Sequence, residues 1–297
     1  KTLELRWLGT PGVKVDTRPV RLETRKVTAL LAVLSLDRRP HSRESLAALF
    51  WPEFDSRRAP ANLRHALSSL QSSLGAGWVE ADHETIALVG PGQVRVDFQD
   101  LLVLVRRVRA HHPKNEKTLC TSCTEKLEEA VRLHRGDFLE GFNLKDSPDF
   151  DQWQMGKRDE LFQELSWALE RLAGACGETG RLEEAIGLAR RWLALDTLHE
   201  PAHRTLMFLC ARSGKRSMAL RQYDACARLL RQEFDQEPEE ATSLLANRIR
   251  QRKLEPTRAQ PPPGESPPGQ PSLPPQPGKP PTKSASDSRI DHANLLR

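Results

Sequence analysis

Apolar and polar positions alternate through residues 3–9, LELRWLG, and again through residues 18–23, RPVRLE. Alternation of this kind predicts two strands, separated by a turn at Pro11 and Gly12. The period then lengthens. In RKVTALLAVLSLD, Val27, Leu30, Leu31 and Leu34 recur at helical spacing, and Pro40 closes the unit. Ser42 is a suitable N-cap for a second helix, RESLAALFW, which Trp51 and Pro52 end as structural residues. A third helix begins near Ala59 and Pro60, because proline is tolerated in the first helical turn, so residues 55–58 belong to the loop before it. Its Leu63, Leu67, Leu70 and Leu74 fall on one face and are expected to pack against Leu30, Leu34, Leu46 and Leu49. Residues 78–97 read as two or three strands with a tip at residues 82–84.

The order strand, strand, helix, helix, helix, hairpin is a winged helix-turn-helix arrangement. After about residue 98 the pattern becomes helical and repeats. TGRLEEAIGLARRWLALD from Thr179 and SGKRSMALRQYDACARLL from Ser213 align Gly180 with Gly214, Ala185 with Ala219 and Leu195 with Leu229. The offset of about 34 residues is that of tetratricopeptide helix pairs. Upstream, Leu172 and Cys176 match Leu206 and Cys210. The fold class is mainly α: an α+β winged helix-turn-helix over residues 1–97 and an all-α, tetratricopeptide-like array over 98–254. Residues 255–297 are dominated by Pro, Gly and Ser, a composition expected to form a disordered linker or tail.

Charge changes the picture locally. The chain of 297 residues carries a net +5. Residues 18–75 hold ten Lys or Arg against five acids, and residues 56–77 contain no carboxylate. The polar face of the third helix offers Arg64, His65, Ser68, Gln71 and Ser72, which can donate to phosphates or base edges. With Arg57 and Arg58 it forms a basic surface, and those two sit at the helix's positive end, where anions are favoured. The tip at residues 82–84 is acidic and would repel phosphate, leaving Arg95 on the return strand as a weaker substitute. No apolar run reaches the ~18–20 residues that cross a membrane. Five cysteines form no disulfide framework, so a reducing cytoplasm is the expected setting.

The stretch RPVRLETRKVTALLAVLSLDRRPHSRESLAALFWPEFDSRRAPANLRHALSSLQSSLG resembles the DNA-binding domain of SARP-type bacterial transcriptional activators, which share the OmpR/PhoB-type winged helix. LEEAVRLHRGDFLEGF, DFDQWQMGKRDELFQEL and the helix pairs resemble the bacterial transcriptional activator domain that follows it. The resemblance spans about residues 3–253. It implies double-stranded DNA as partner, with the third helix in the major groove. It further implies sites of direct-repeat type bound by a homodimer, recruitment of RNA polymerase, and no enzymatic activity. Arg58, Asn62, Arg64, His65, Ser68 and Ser72 become the DNA-facing set, and Arg25 and Arg43 the phosphate contacts. Some relatives continue beyond such a linker into an NTPase module, and the sequence ends in or just past that linker.

Other chemistry is sparse. His111 and His112 precede Cys120 and Cys123 in HHPKNEKTLCTSC, a set that could supply four ligands to a structural zinc. The spacing is irregular for a known finger, and two unpaired thiols in a polar loop is the plainer reading. No other cofactor is implied. Cys176, Cys210 and Cys226 fall at packing positions. HRGDFLEGF, residues 134–142, suggests a turn docked on a helix pair. Phosphate-loop, GxSxG and HExxH motifs are lacking. The rival to a DNA-binding activator is a helical-repeat scaffold or signalling adaptor without direct DNA binding, favoured by the acidic wing tip.

Overall fold

A computed structural model describes residues 1–90, 92–112 and 118–253. The proline-rich tail expected from residue 255 lies outside them. Among the described residues there are seven strands and ten helices. The amino-terminal part runs β1 (Thr2–Arg6), β2 (Gly12–Val15), β3 (Arg18–Val20), α1 (Arg25–Leu36), β4 (His41–Ser42), α2 (Arg43–Phe50), α3 (Arg58–Leu74), β5 (Val79–Ala81), β6 (Thr85–Leu88) and β7 (Gln93–Val96). The remainder is α4 (Asp97–His111), α5 (Thr121–Leu133), α6 (Pro148–Glu178), α7 (Leu182–Leu195), α8 (Glu200–Arg212), α9 (Arg216–Phe234) and α10 (Glu240–Arg250). No helix among these residues is long and apolar enough to cross a membrane.

The three amino-terminal helices form where periodicity and capping placed them. Thr24 caps α1 by accepting from the Val27 N–H, and Ser42 caps α2 by accepting from the Ser45 N–H. The leucine face of α3 is buried, as are Leu30, Leu34 and Leu46 opposite it. The strands needed correction. Gly12 opens a strand that folds back on β1 across residues 7–11, and a second reversal falls at Asp16 and Thr17, both in the left-handed region at φ 47° and 71°. The two expected strands become three antiparallel ones, β3-β2-β1. The return strand also goes elsewhere. β5 and β6 form the wing with short β4, but β7 leaves it and pairs in parallel with β1, Leu3 opposite Val94.

That parallel pairing delivers α4 to the end of β1. Asp97, the first residue of α4, accepts from the N–H groups of Trp7 (2.8 Å), Leu8 (3.2 Å) and Phe98 (2.8 Å), and Arg135 donates to it at 2.5 Å. The Trp7 ring reaches the other way, its Nε1 donating to buried Ser35 of α1 at 2.9 Å. Residues 134–142 dock on both sides at once. Against β1, the Gly9 N–H donates to Asp137 and the Leu139 N–H to Trp7. Against α6, Gln154 Nε2 donates to Leu139 and Phe142 oxygens, and Phe138 stacks edge-on to Trp153. Backbone approach here is close: a Cβ on Gly136 would lie 3.1 Å from the Gly9 Cα. One apolar cluster therefore runs without a break from Leu3 to Ala202.

A second cluster holds the repeats. Their turns are equivalent hydrogen bond by hydrogen bond. The Arg181 N–H donates to Cys176 and the Lys215 N–H to Cys210, each at 2.9 Å, across Gly180 at φ 79° and Gly214 at φ 77°. This is the Schellman arrangement, which needs a left-handed residue just past the helix. Cys176, Cys210 and Cys226 are buried core thiols, as their positions suggested. Between the clusters, Arg191 Nη2 donates to the carbonyls of Val131 and His134, both at 2.6 Å, at the carboxyl end of α5. Burial first, then the Arg191 charge, pulls the His134 imidazole down to about 4.

Two predictions follow from these contacts. Asp97→Ala strands buried N–H donors and the Arg135 guanidinium, and should cost about 3 kcal/mol of stability, read as a lowered denaturation midpoint at unchanged slope. Asp97→Asn keeps an acceptor oxygen and should cost less. Stability should also fall as pH drops from His134's unfolded value of 6.5 toward its folded value of about 4, since only the unfolded chain takes up the proton there. Allowing for screening of a partly exposed ring, the loss is about 1–2 kcal/mol. His134→Gln should flatten the pH profile in that window.

Candidate nucleic-acid interface

Helix α3 begins at Arg58, one residue earlier than expected, with Arg57 as N-cap and Pro60 in the first turn. Buried Ala59, Leu63, Ala66, Leu67, Leu70 and Leu74 face the core. Arg64, His65, Ser68 and Ser72 form the opposite, exposed stripe, while Asn62 sits half-buried on its flank. Arg57 and Arg58 are exposed at the start of the helix. The helix end itself is not open to an outside anion, however. Asp55 Oδ1 already accepts from the N–H groups of Arg57 (3.0 Å) and Arg58 (2.8 Å). The two side chains remain available, but the favourable dipole is spent on Asp55.

Both expected phosphate contacts also hold a partner within the fold. Arg25 Nη2 donates to the Gly141 carbonyl at 3.1 Å, and its guanidinium lies 5.2 Å from the Phe142 ring centre. It fastens α1 to the docked turn. Arg43 Nε donates to the Asp82 carbonyl at 2.7 Å and fastens α2 to the wing tip. The spacing that made them surface cations was visible in the sequence; their partners, 116 and 39 residues away, were not. Arg95 lies on β7, paired with β1, so it is no substitute at the wing.

The wing tip is acidic and ordered by its own acid. Asp82 accepts from the N–H groups of Glu84 (2.7 Å) and Thr85 (2.6 Å) and from the Thr85 hydroxyl. The Thr85 backbone bond, then that from Glu84, holds its carboxyl below the usual range. Between this tip, α2 and the start of α3 lies a cleft of about 1170 Å³. Arg43 and Arg64 line it together with Glu44, Asp55, Asp82, Glu84 and Asp149. A second carboxylate was also hidden from the sequence. Glu23, from the β3–α1 connection, accepts from the Ser69 hydroxyl at 2.6 Å and lines a shallow cleft with His65, Ser68 and Ser72. The face of α3 carries no acid of its own, but the fold brings one to its flank.

The helical part gathers a different set of groups. His111 and His112 at the end of α4 meet Cys120 and Cys123 at the start of α5, with one donor atom of each within 4.8 Å of every other. The His112 hydrogen bond, the largest influence on the Cys120 thiol, brings it down to about 7, whereas burial pushes Cys123 up.

The sequence profile of the bacterial transcriptional activator domain matches residues 96–250. This bears out the resemblance of the helical part. No curated protein matches the chain. Among solved structures, the chain is similar to Mycobacterium tuberculosis EmbR, determined in complex with a low affinity phosphopeptide. The TM-score is 0.66 at 23% identity, over 86% of this chain and 66% of that one. At that identity the likeness is one of fold, and the chain spans just under two thirds of that structure's length.

Proposed function

The chain belongs to the bacterial transcriptional activator domain family, a family of SARP-type transcription regulators and not of enzymes, and on that premise we propose that it activates transcription by binding duplex DNA through α3. The observation that carries this reading is the exposed stripe Arg64, His65, Ser68, Ser72, with Arg57 and Arg58 at its head, on a helix without a carboxylate from residue 56 to 77. Short hydroxyls at Ser68 and Ser72 let a groove floor approach the helix backbone, while Arg64 and His65 reach base edges or phosphates. The acidic cleft on one side of α3 and Glu23 on the other restrict an incoming polyanion to this stripe. Asn62 belongs to the flank of the contact. Arg25 and Arg43 drop out of the DNA-facing set, because each already serves an internal partner.

In this reading the helical pairs α6–α10 form the protein-facing part, where a second copy on a direct-repeat site or RNA polymerase would dock. The setting is the cytoplasm. A second reading has one observation in its favour. The cleft beside α3 gathers five carboxylates around two arginines, a surface suited to a basic protein segment. The chain would then be an adaptor that does not touch DNA.

Selection of the full chain on a random duplex library at physiological salt separates the two. Activator function predicts an enriched motif, in direct repeats about one helical turn apart. Absence of enrichment would favour the adaptor. On the selected site, Arg64→Ala should weaken binding by about 1–3 kcal/mol and relax preference at one base position. Arg25→Ala should leave site affinity within about 0.5 kcal/mol. Equal losses for both would mean that α3 does not read the site.

A further inference from the structure

We propose that His111, His112, Cys120 and Cys123 form a structural zinc site that clasps the α4–α5 helix pair. The four residues come from two facing helix ends. His111 is the last residue of α4 and His112 its C-cap; Cys120 is the N-cap of α5 and Cys123 stands in its first turn. His112 and Cys123 are buried, while His111 and Cys120 are exposed, so the cluster lies at the surface with its inner half in the core.

The donor atoms lie within 4.8 Å of one another, close enough to share one tetrahedral ion. His111 Nδ1 lies 3.4 Å from Cys123 Sγ and 3.9 Å from Cys120 Sγ, and His112 Nε2 lies 3.5 Å from Cys120 Sγ. Zinc bonds of about 2.3 Å to sulfur and 2.0–2.1 Å to nitrogen give nitrogen–sulfur edges of about 3.5 Å in a regular tetrahedron. These three nitrogen–sulfur distances are thus about one tetrahedral edge. The His111 and His112 rings meet edge to face at 4.7 Å, so neighbours in sequence aim different nitrogens at one centre.

The donor set selects the metal. Two thiolates and two imidazoles are soft and borderline ligands, and a closed S2N2 tetrahedron suits zinc, whereas calcium and magnesium require oxygen. Two thiolates also cancel the charge of a divalent ion. The helices assist: thiolates are favoured at the amino end of α5, and a cation at the carboxyl end of α4. The role is structural because all four positions are filled by protein, leaving none for water or substrate. At its other end α4 is held by Asp97. With the metal in place the helix is fixed at both ends, and α5 is fixed to it.

This inference stands apart from the DNA-binding proposal, and its test reads metal alone. The full chain, untagged, is purified under reducing conditions without chelator, and its zinc is measured by elemental mass spectrometry. About one zinc per chain is expected. Exchange with Co²⁺ should give visible bands of tetrahedral cobalt and a near-ultraviolet thiolate charge-transfer band. Cys120→Ser and His111→Gln, both at exposed positions, should lower zinc content roughly tenfold or more with the far-ultraviolet helical spectrum retained. Cys226→Ser, a core thiol outside the cluster, should leave zinc content unchanged. A reduced, folded chain that holds no zinc and gives no cobalt spectrum would overturn the proposal. So would zinc that persists in both cluster variants.

Discussion

One buried carboxylate organises the molecule. Asp97 is the first residue of α4, yet it accepts from the backbone of Trp7 and Leu8, at the far end of the chain from the helical array. Those N–H groups lie just past the end of the β1–β7 ladder, where no further strand partner satisfies them. A buried amide without an acceptor is costly, so the carboxylate turns the frayed end of a strand into a junction. Arg135 closes the arrangement from the docked turn, and the Trp7 indole extends it to α1 through Ser35. Sheet, first helix, helical array and docked turn all meet within two residues of this group. The parallel pairing of β7 with β1 makes sense in this light: it puts α4 where its first residue can serve β1.

Local elements were largely legible in the sequence, because they follow from short-range chemistry. Periodicity located α1, α2 and α3, Ser42 announced its cap, and Pro60 limited where α3 could begin. The 34-residue offset located turns whose hydrogen bonds prove equivalent. What failed was non-local or ambiguous. Pro11-Gly12 marks the first reversal, but the second, at Asp16 and Thr17, carries no glycine or proline to announce it. The destination of β7 depends on a partner ninety residues earlier, and a short strand carries no address.

The candidate site divides in the same way. Helical spacing sorted the exposed stripe of α3 from its leucine face. Periodicity speaks only of the helix that bears it, and it is silent on what other segments bring alongside. Glu23 arrives beside Ser69 from a loop, Asp55 caps the helix from the preceding turn, and Arg25 and Arg43 each find an internal acceptor far away in sequence. The His/Cys loop is the opposite case: its spacing is irregular, yet the ends of α4 and α5 bring the four donor atoms within 4.8 Å of one another.

The apolar cluster that reaches from Leu3 to Ala202 has a consequence for how this protein could be handled. Residues 1–97 cut from the rest would keep Asp97 with Trp7 and Leu8 but lose its Arg135 partner, and would bare the surface that Phe98, Phe138 and Phe150 cover. Such a fragment would be adhesive, prone to associate through that surface rather than to survive as a module. Grafting this helix-turn-helix onto another regulator therefore means carrying α4 to α6 along with it.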